Sequence, residues 1–125
     1  MTQGKDDQGG SVTVVVAAMI AAIVVLALAT ADVVRVLTAA AESQTAADAS
    51  ALAAAQELFL PGDLEPVDVA REYADRNGAV LVGCECERET LEVVVTVRAA
   101  IGPLLLFADD RAVQASARAV VDLPA

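Results

Sequence analysis

The stretch SVTVVVAAMIAAIVVLALATA, residues 11–31, decides how this chain is organised, because it is long, apolar and uncharged. It contains neither Pro nor Gly, and about 20 apolar residues is the length that a helix needs to cross a bilayer. A polar leader of residues 1–10 precedes it, and 94 of the 125 residues follow it. The sequence therefore predicts a transmembrane segment at 11–31 and one small domain at 32–125.

A secretory signal peptide is the second interpretation of the same segment. Ala29-Thr30-Ala31 has the small-x-small pattern of a cleavage site, and cleavage there would release a soluble binding module that begins at Asp32. The leader has one Lys and two Asp, which is a weak basic region, and neither Pro nor Gly interrupts residues 11–60. This continuity favours one long helix with an uncleaved span.

The orientation of the span is only weakly encoded, since Lys5 precedes it and Arg35 follows it. A short leader stays in the cytoplasm more readily than a folded domain does. We therefore expect a single-pass protein of the plasma membrane, with a cytoplasmic N-terminus and an extracytoplasmic domain. Asp32 and Arg35 lie three apart at the outer end of the span, where they can pair or anchor the helix at the membrane interface.

Residues 32–60 predict a continuation of the helix, since Ala and Leu have high helix propensity. Steps of three and four place small apolar residues near one face, which we expect to cover the domain's own sheet. A seam with a neighbouring helix is compatible with that arrangement. The predicted face contains Val33, Leu37, Ala40, Ala41, Gln44, Ala47, Ala51, Leu52, Ala55 and Leu58.

The remaining residues predict a short helix and three strands. Pro66 suits the first position of a helix that continues through 67–77. Alternating runs at 79–86, 91–99 and 111–122 are typical of half-buried antiparallel strands. In the first run we expect Val80, Val82, Cys84 and Cys86 to face inward. The predicted fold class is α+β: a long transmembrane helix continues into an Ala-rich helix packed on a three-stranded antiparallel sheet.

The loop at 101–110 follows from Gly102-Pro103, which interrupts the strand pattern. Its apolar run at 104–107 is expected to fold back onto the core, with an exposed contact site as the alternative. The adjacent Asp109-Asp110 is expected to be a solvated turn.

Composition argues against several classes of function. Residues 32–125 carry 16 acidic residues and seven Arg, a net charge of −9, which is unsuited to nucleic acid. The chain has no His, and its serines have no evident base, so we expect neither an enzyme nor a small-molecule substrate, cofactor or metal. Cys84 and Cys86 are expected to be buried hydrophobes, and a disulfide is the alternative in an oxidising compartment.

The helical region resembles a known family. Gly10 directly before a long apolar helix resembles the N-terminus of type IV pilins. The stretch AADASALAAA at 46–55, with Asp32 and Arg35 before it, is similar to TadE/TadG-like proteins, the minor pilins or pseudopilins of the tight-adherence (Flp) pilus. The later residues are similar to short TadE-like proteins of high-GC actinobacteria.

The resemblance implies a non-enzymatic component of the cell envelope, acting in pilus assembly or secretion. Its partners would be the membrane, pilin-like subunits and the Tad/Flp assembly platform. Cleavage in type IV pilins follows a Gly, which corresponds to Gly10 and makes Ser11 the mature N-terminus. The Glu that is usual five residues into the mature pilin corresponds to Val15 here, and this departure implies an accessory or membrane-resident role.

Overall fold

One helix, α1 (Gln3–Phe59), forms the long axis of the molecule in the computed structural model, which describes residues 3–60, 62–106 and 111–124. Its 57 residues extend over about 85 Å at 1.5 Å per residue. The helix ends at Phe59, and the Glu57 carboxylate of its last turn accepts a hydrogen bond from the Gly62 amide at 3.2 Å. The continuous helix predicted from the missing Pro and Gly is confirmed.

The second helix, α2 (Pro66–Arg76), begins with Pro at its first turn, as predicted. It ends at Arg76 with Asn77 as its C-cap, and Gly78 adopts a φ of +75° that favours glycine. The Ala79 amide then donates to the Ala74 carbonyl at 3.0 Å, which closes the turn into the sheet.

The sheet has three antiparallel strands in the order β1-β2-β3: β1 (Val80–Glu87), β2 (Glu92–Ala100) and β3 (Ala112–Val120). The central β2 pairs with both neighbours, so that Val95 lies opposite Cys84 on one side and Ala117 on the other. The predicted α+β class is therefore confirmed.

The core lies between the second half of α1, α2 and one face of the sheet. Val93, Val95 and Val97 of β2 are fully buried there. Small residues of α1 allow the helix backbone to approach these valines closely, since their side chains add little thickness. They are Ala46, Ala47, Ala51, Ala54 and Ala55.

The predicted inner face of α1 is wrong at six of its ten positions, three of which are Ala40, Ala41 and Gln44. Val33, Leu37 and Leu52 are more than half exposed, whereas Ala39, Ser43 and Ser50 are buried. The larger side chains would hold the helix away from the sheet, so the helix presents its smaller residues to the core. Among the residues predicted to face inward, Ala47, Ala51, Ala55 and Leu58 are buried as expected.

The predicted alternation of β1 is wrong before Gly83. The register shifts between Leu81, which pairs with Val97, and Gly83, which pairs with Thr96. This irregularity turns Leu81 toward the core and leaves Val80 and Val82 exposed. When one strand contains an extra residue, the residues before that point face the opposite side of the sheet from the one that simple alternation predicts. The sequence alternation alone does not show where such a residue lies.

Candidate membrane anchor and its contact with the sheet domain

The apolar segment of α1 at 11–31 extends away from the sheet. Its large side chains are exposed, with Val14 at 69% and Leu26 at 66% of their full accessible area. Among the residues that the structure describes, α1 is the one helix whose length and composition suit a membrane span, and its most apolar window is entirely unburied. An exposed apolar surface of this size requires a nonaqueous neighbour.

Asp32 lies where the apolar segment meets the sheet domain, and it holds the loop that joins β2 to β3. Its Oδ1 accepts a hydrogen bond from the Leu105 amide at 2.7 Å, and its Oδ2 accepts one from the Leu106 amide at 2.8 Å. Only 3% of the Asp32 surface is exposed. A buried carboxylate is tolerated here because both of its oxygens have donors.

Arg35 extends toward the same loop, where its guanidinium donates a hydrogen bond to the Pro103 carbonyl. Burial raises the pKa of Asp32, but the two amide hydrogen bonds and the nearby Arg35 charge lower it, and the net pKa is below its ordinary value of 3.8. The structure thus brings the predicted boundary pair together at one loop. Their role at a membrane boundary stays a prediction.

Leu104 packs beneath this loop and is 9% exposed. Leu104 also lines a cavity of about 260 Å³ beside α1, with Ala29, Val33 and Leu37 among the other lining residues. The loop therefore divides the predicted apolar run: Leu104 folds back, whereas Leu105 and Leu106 are 52% and 41% exposed. Phe107 and the Asp109-Asp110 pair lie outside the described residues.

Gly10 and Ser11 lie within α1, and both are exposed. Val15, at the position that corresponds to the usual pilin Glu, is also exposed on the apolar segment. Processing between Gly10 and Ser11 stays a prediction, since an intact helix carries no record of cleavage.

Cys84 and Cys86 lie on the inner face of β1 and pack against the core. Their Cα atoms are 5.5 Å apart, within the range of disulfide-linked residues, and their sulfur atoms are adjacent. A disulfide between them stays the alternative to two buried thiols. Within the described ranges, no group of three His, Cys, Asp or Glu residues is arranged to hold a metal ion.

These features define a class of protein: a single long helix carries an exposed apolar half and, on its other half, a small α+β domain. Comparison with known families is more specific. Residues 10–57 match the TadE/G-like Flp pilus-assembly family, whose proteins are structural rather than enzymatic. The match covers most of α1 and confirms the resemblance predicted from the sequence. Neither the curated proteins nor the solved structures include a match to the chain. The family match and the apolar helix together fit a membrane-anchored pilus component.

Sequence reasoning selected Asp32 and Arg35 but missed their contact with the loop. The partners are 73 and 74 residues away from Asp32, and backbone amides carry no residue-specific signal. The one available clue was an acidic residue directly after an apolar span, since a charge there needs a partner.

Proposed function

We propose that this protein is a TadE-like minor pseudopilin, a non-enzymatic and membrane-anchored component of a Flp/Tad-type pilus or secretion apparatus. Residues 1–10 form a cytoplasmic leader, 11–31 cross the plasma membrane, and 32–125 form the extracytoplasmic domain. The match of residues 10–57 to the pilus-assembly family is the observation that carries this proposal. The exposed apolar half of α1 supports membrane anchoring.

The partners proposed here are pilin-like subunits and the Tad/Flp assembly platform. The face of α1 that lies opposite the sheet supports these partners. Beyond the apolar segment, Val34, Leu37 and Leu52 are exposed on that face. Exposed apolar residues along a helix suit packing beside another helix. The usual pilin Glu is replaced by Val15, which favours an accessory role over that of a major filament subunit.

Site-specific crosslinking in cells that produce pili tests this proposal. A photoreactive residue at Leu37 is expected to capture pilin-like subunits or platform proteins. The matched control places the same residue at Glu85, which is exposed on β1. Capture from Leu37 but not from Glu85 supports the proposal. Recovery of neither class of partner from Leu37, with the protein present in the membrane, contradicts the pilus role.

A further inference from the structure

The loop at 101–106 holds two leucines in a position that the proposed function does not explain. Leu104 is buried against α1, but Leu105 and Leu106 point outward although their amides are fixed by Asp32. Two adjacent exposed leucines are therefore held in place by a buried carboxylate. An apolar pair held in this way is a preformed contact surface.

The position of this pair relative to the apolar segment identifies what it contacts. Residues 11–31 form 21 helical residues, about 31 Å, which matches a hydrocarbon core of about 30 Å. When that segment spans the core, Asp32 lies at its outer boundary. Leu105 and Leu106 lie at the same height, because their amides bind the Asp32 carboxylate directly.

We propose that Leu105 and Leu106 form a second membrane contact, entering the interfacial region of the same bilayer that α1 crosses. This inference rests on the proposed membrane anchoring of residues 11–31. The contact is monotopic: the loop lies in the interface and does not span it. Together with α1 it attaches the domain at two points.

The polar groups of the loop suit this environment. An amide loses water as it approaches the hydrocarbon boundary, so an internal acceptor favours its placement there, and Asp32 supplies one for each of the two leucine amides. Arg35 donates to the Pro103 carbonyl and remains exposed, so its guanidinium lies at the height of the lipid phosphates. These contacts place a cation at the membrane surface of a domain whose net charge is −9.

Two-point attachment has a structural consequence. A single helix can rotate about its axis and tilt within the bilayer, and anchors near its ends restrict both motions. The loop lies on the side of α1 that faces the sheet. Its contact with lipid fixes which side of α1 remains available to neighbouring proteins.

Depth-dependent fluorescence quenching tests the inference, because the chain contains no Trp. The full chain is reconstituted in phosphatidylcholine vesicles with acyl chains brominated at shallow or deep positions, using L105W and L106W separately. The matched control is V120W, an exposed residue at the far end of β3, about 27 Å along the strand from Ala112. I20W, at the centre of the apolar segment, reports on anchoring itself.

We expect shallow bromines to quench L105W and L106W roughly twofold more than V120W, since interfacial residues lie about 5–10 Å into the boundary. I20W should be quenched most by deep bromines. If I20W is quenched while L105W and L106W behave like V120W, the loop contact is overturned and the anchoring stands. If I20W is not quenched, the proposed anchoring fails.

Contact with another protein is a distinct outcome. The L105W and L106W indoles would then be shielded from an aqueous quencher but unaffected by brominated lipid, and the inference would be overturned. Circular dichroism checks that each variant keeps its fold. In nanodiscs, magnetisation transfer from lipid to leucine methyl groups tests the lipid contact in the unmodified chain. Absence of this transfer at Leu105 and Leu106 overturns the inference.

Discussion

Replacing the two buried serines of α1 by Ala is expected to stabilise the protein. Ser43 and Ser50 are fully buried, and neither hydroxyl has a hydrogen-bond partner among the described residues. An unsatisfied buried polar group costs about 1–3 kcal/mol. Ala also has a higher helix propensity than Ser, by about 0.5 kcal/mol. Loss of one packed oxygen offsets less than about 1 kcal/mol of this gain.

The net gain in unfolding free energy is about 1–2 kcal/mol for each substitution. The two serines lie seven residues apart, about 10 Å along the helix, so S43A and S50A should be nearly additive, and the double variant gains about 3 kcal/mol. For a domain of this size, that raises Tm by more than about 10 °C. Thermal unfolding of the full chain in a mild detergent, followed by the loss of strand signal, measures the change.

Ser116→Ala is the matched control with the opposite expected sign. The Ser116 hydroxyl donates to the Val95 carbonyl at 3.1 Å, so its removal should lower stability by about 0.5–1 kcal/mol. If S43A and S50A lower Tm as S116A does, the two hydroxyls have partners and the packing of α1 on the sheet is not as described.

Three further predictions concern the core, the loop and the cysteines. Val95→Ala should lower the unfolding free energy by about 2–3 kcal/mol, because it leaves a cavity in the core beneath α1. A decrease of less than about 1 kcal/mol, measured by thermal unfolding, would contradict that packing. Because the folded pKa of Asp32 lies below 3.8, its stabilisation of the loop at 101–106 is complete above that pH and is lost as pH falls through the folded pKa. The protection of the loop amides, measured as exchange relative to the intrinsic rate at each pH, should fall over this acidic range, and D32N should show the lower protection above it as well. Unchanged protection in D32N would argue against the Asp32 contact. If Cys84 and Cys86 form the alternative disulfide, alkylation should increase the mass only after reduction, and alkylation without a reductant would show free thiols.

The local sequence was sufficient to predict those helices and strands whose formation depends on neighbouring residues. The absence of Pro and Gly from 11–60 predicted the helix over most of those residues, although α1 begins earlier, at Gln3, and Pro66 predicted the first turn of α2. Alternating Val and Ala predicted β2 and β3, because each strand has one face on the core and the register between them is regular.

The features that were missed depend on contacts between distant residues. The register shift near Val82 arises from pairing with β2, and the alternation of β1 alone contains no sign of it. The inner face of α1 depends on how closely the sheet can approach, which favoured Ser43 and Ser50 over the larger Leu37. Asp32 was selected for its position, but its partners are backbone amides that any residue could supply.

The central claim is that residues 11–31 remain part of the protein as its membrane anchor. Mass spectrometry of the native protein after cell fractionation tests this claim most directly. We expect the protein in the membrane fraction, with an N-terminus at Met1 or, after processing at Gly10, at Ser11. A mature protein in the culture medium that begins at Asp32 would contradict the account and identify a secreted module instead.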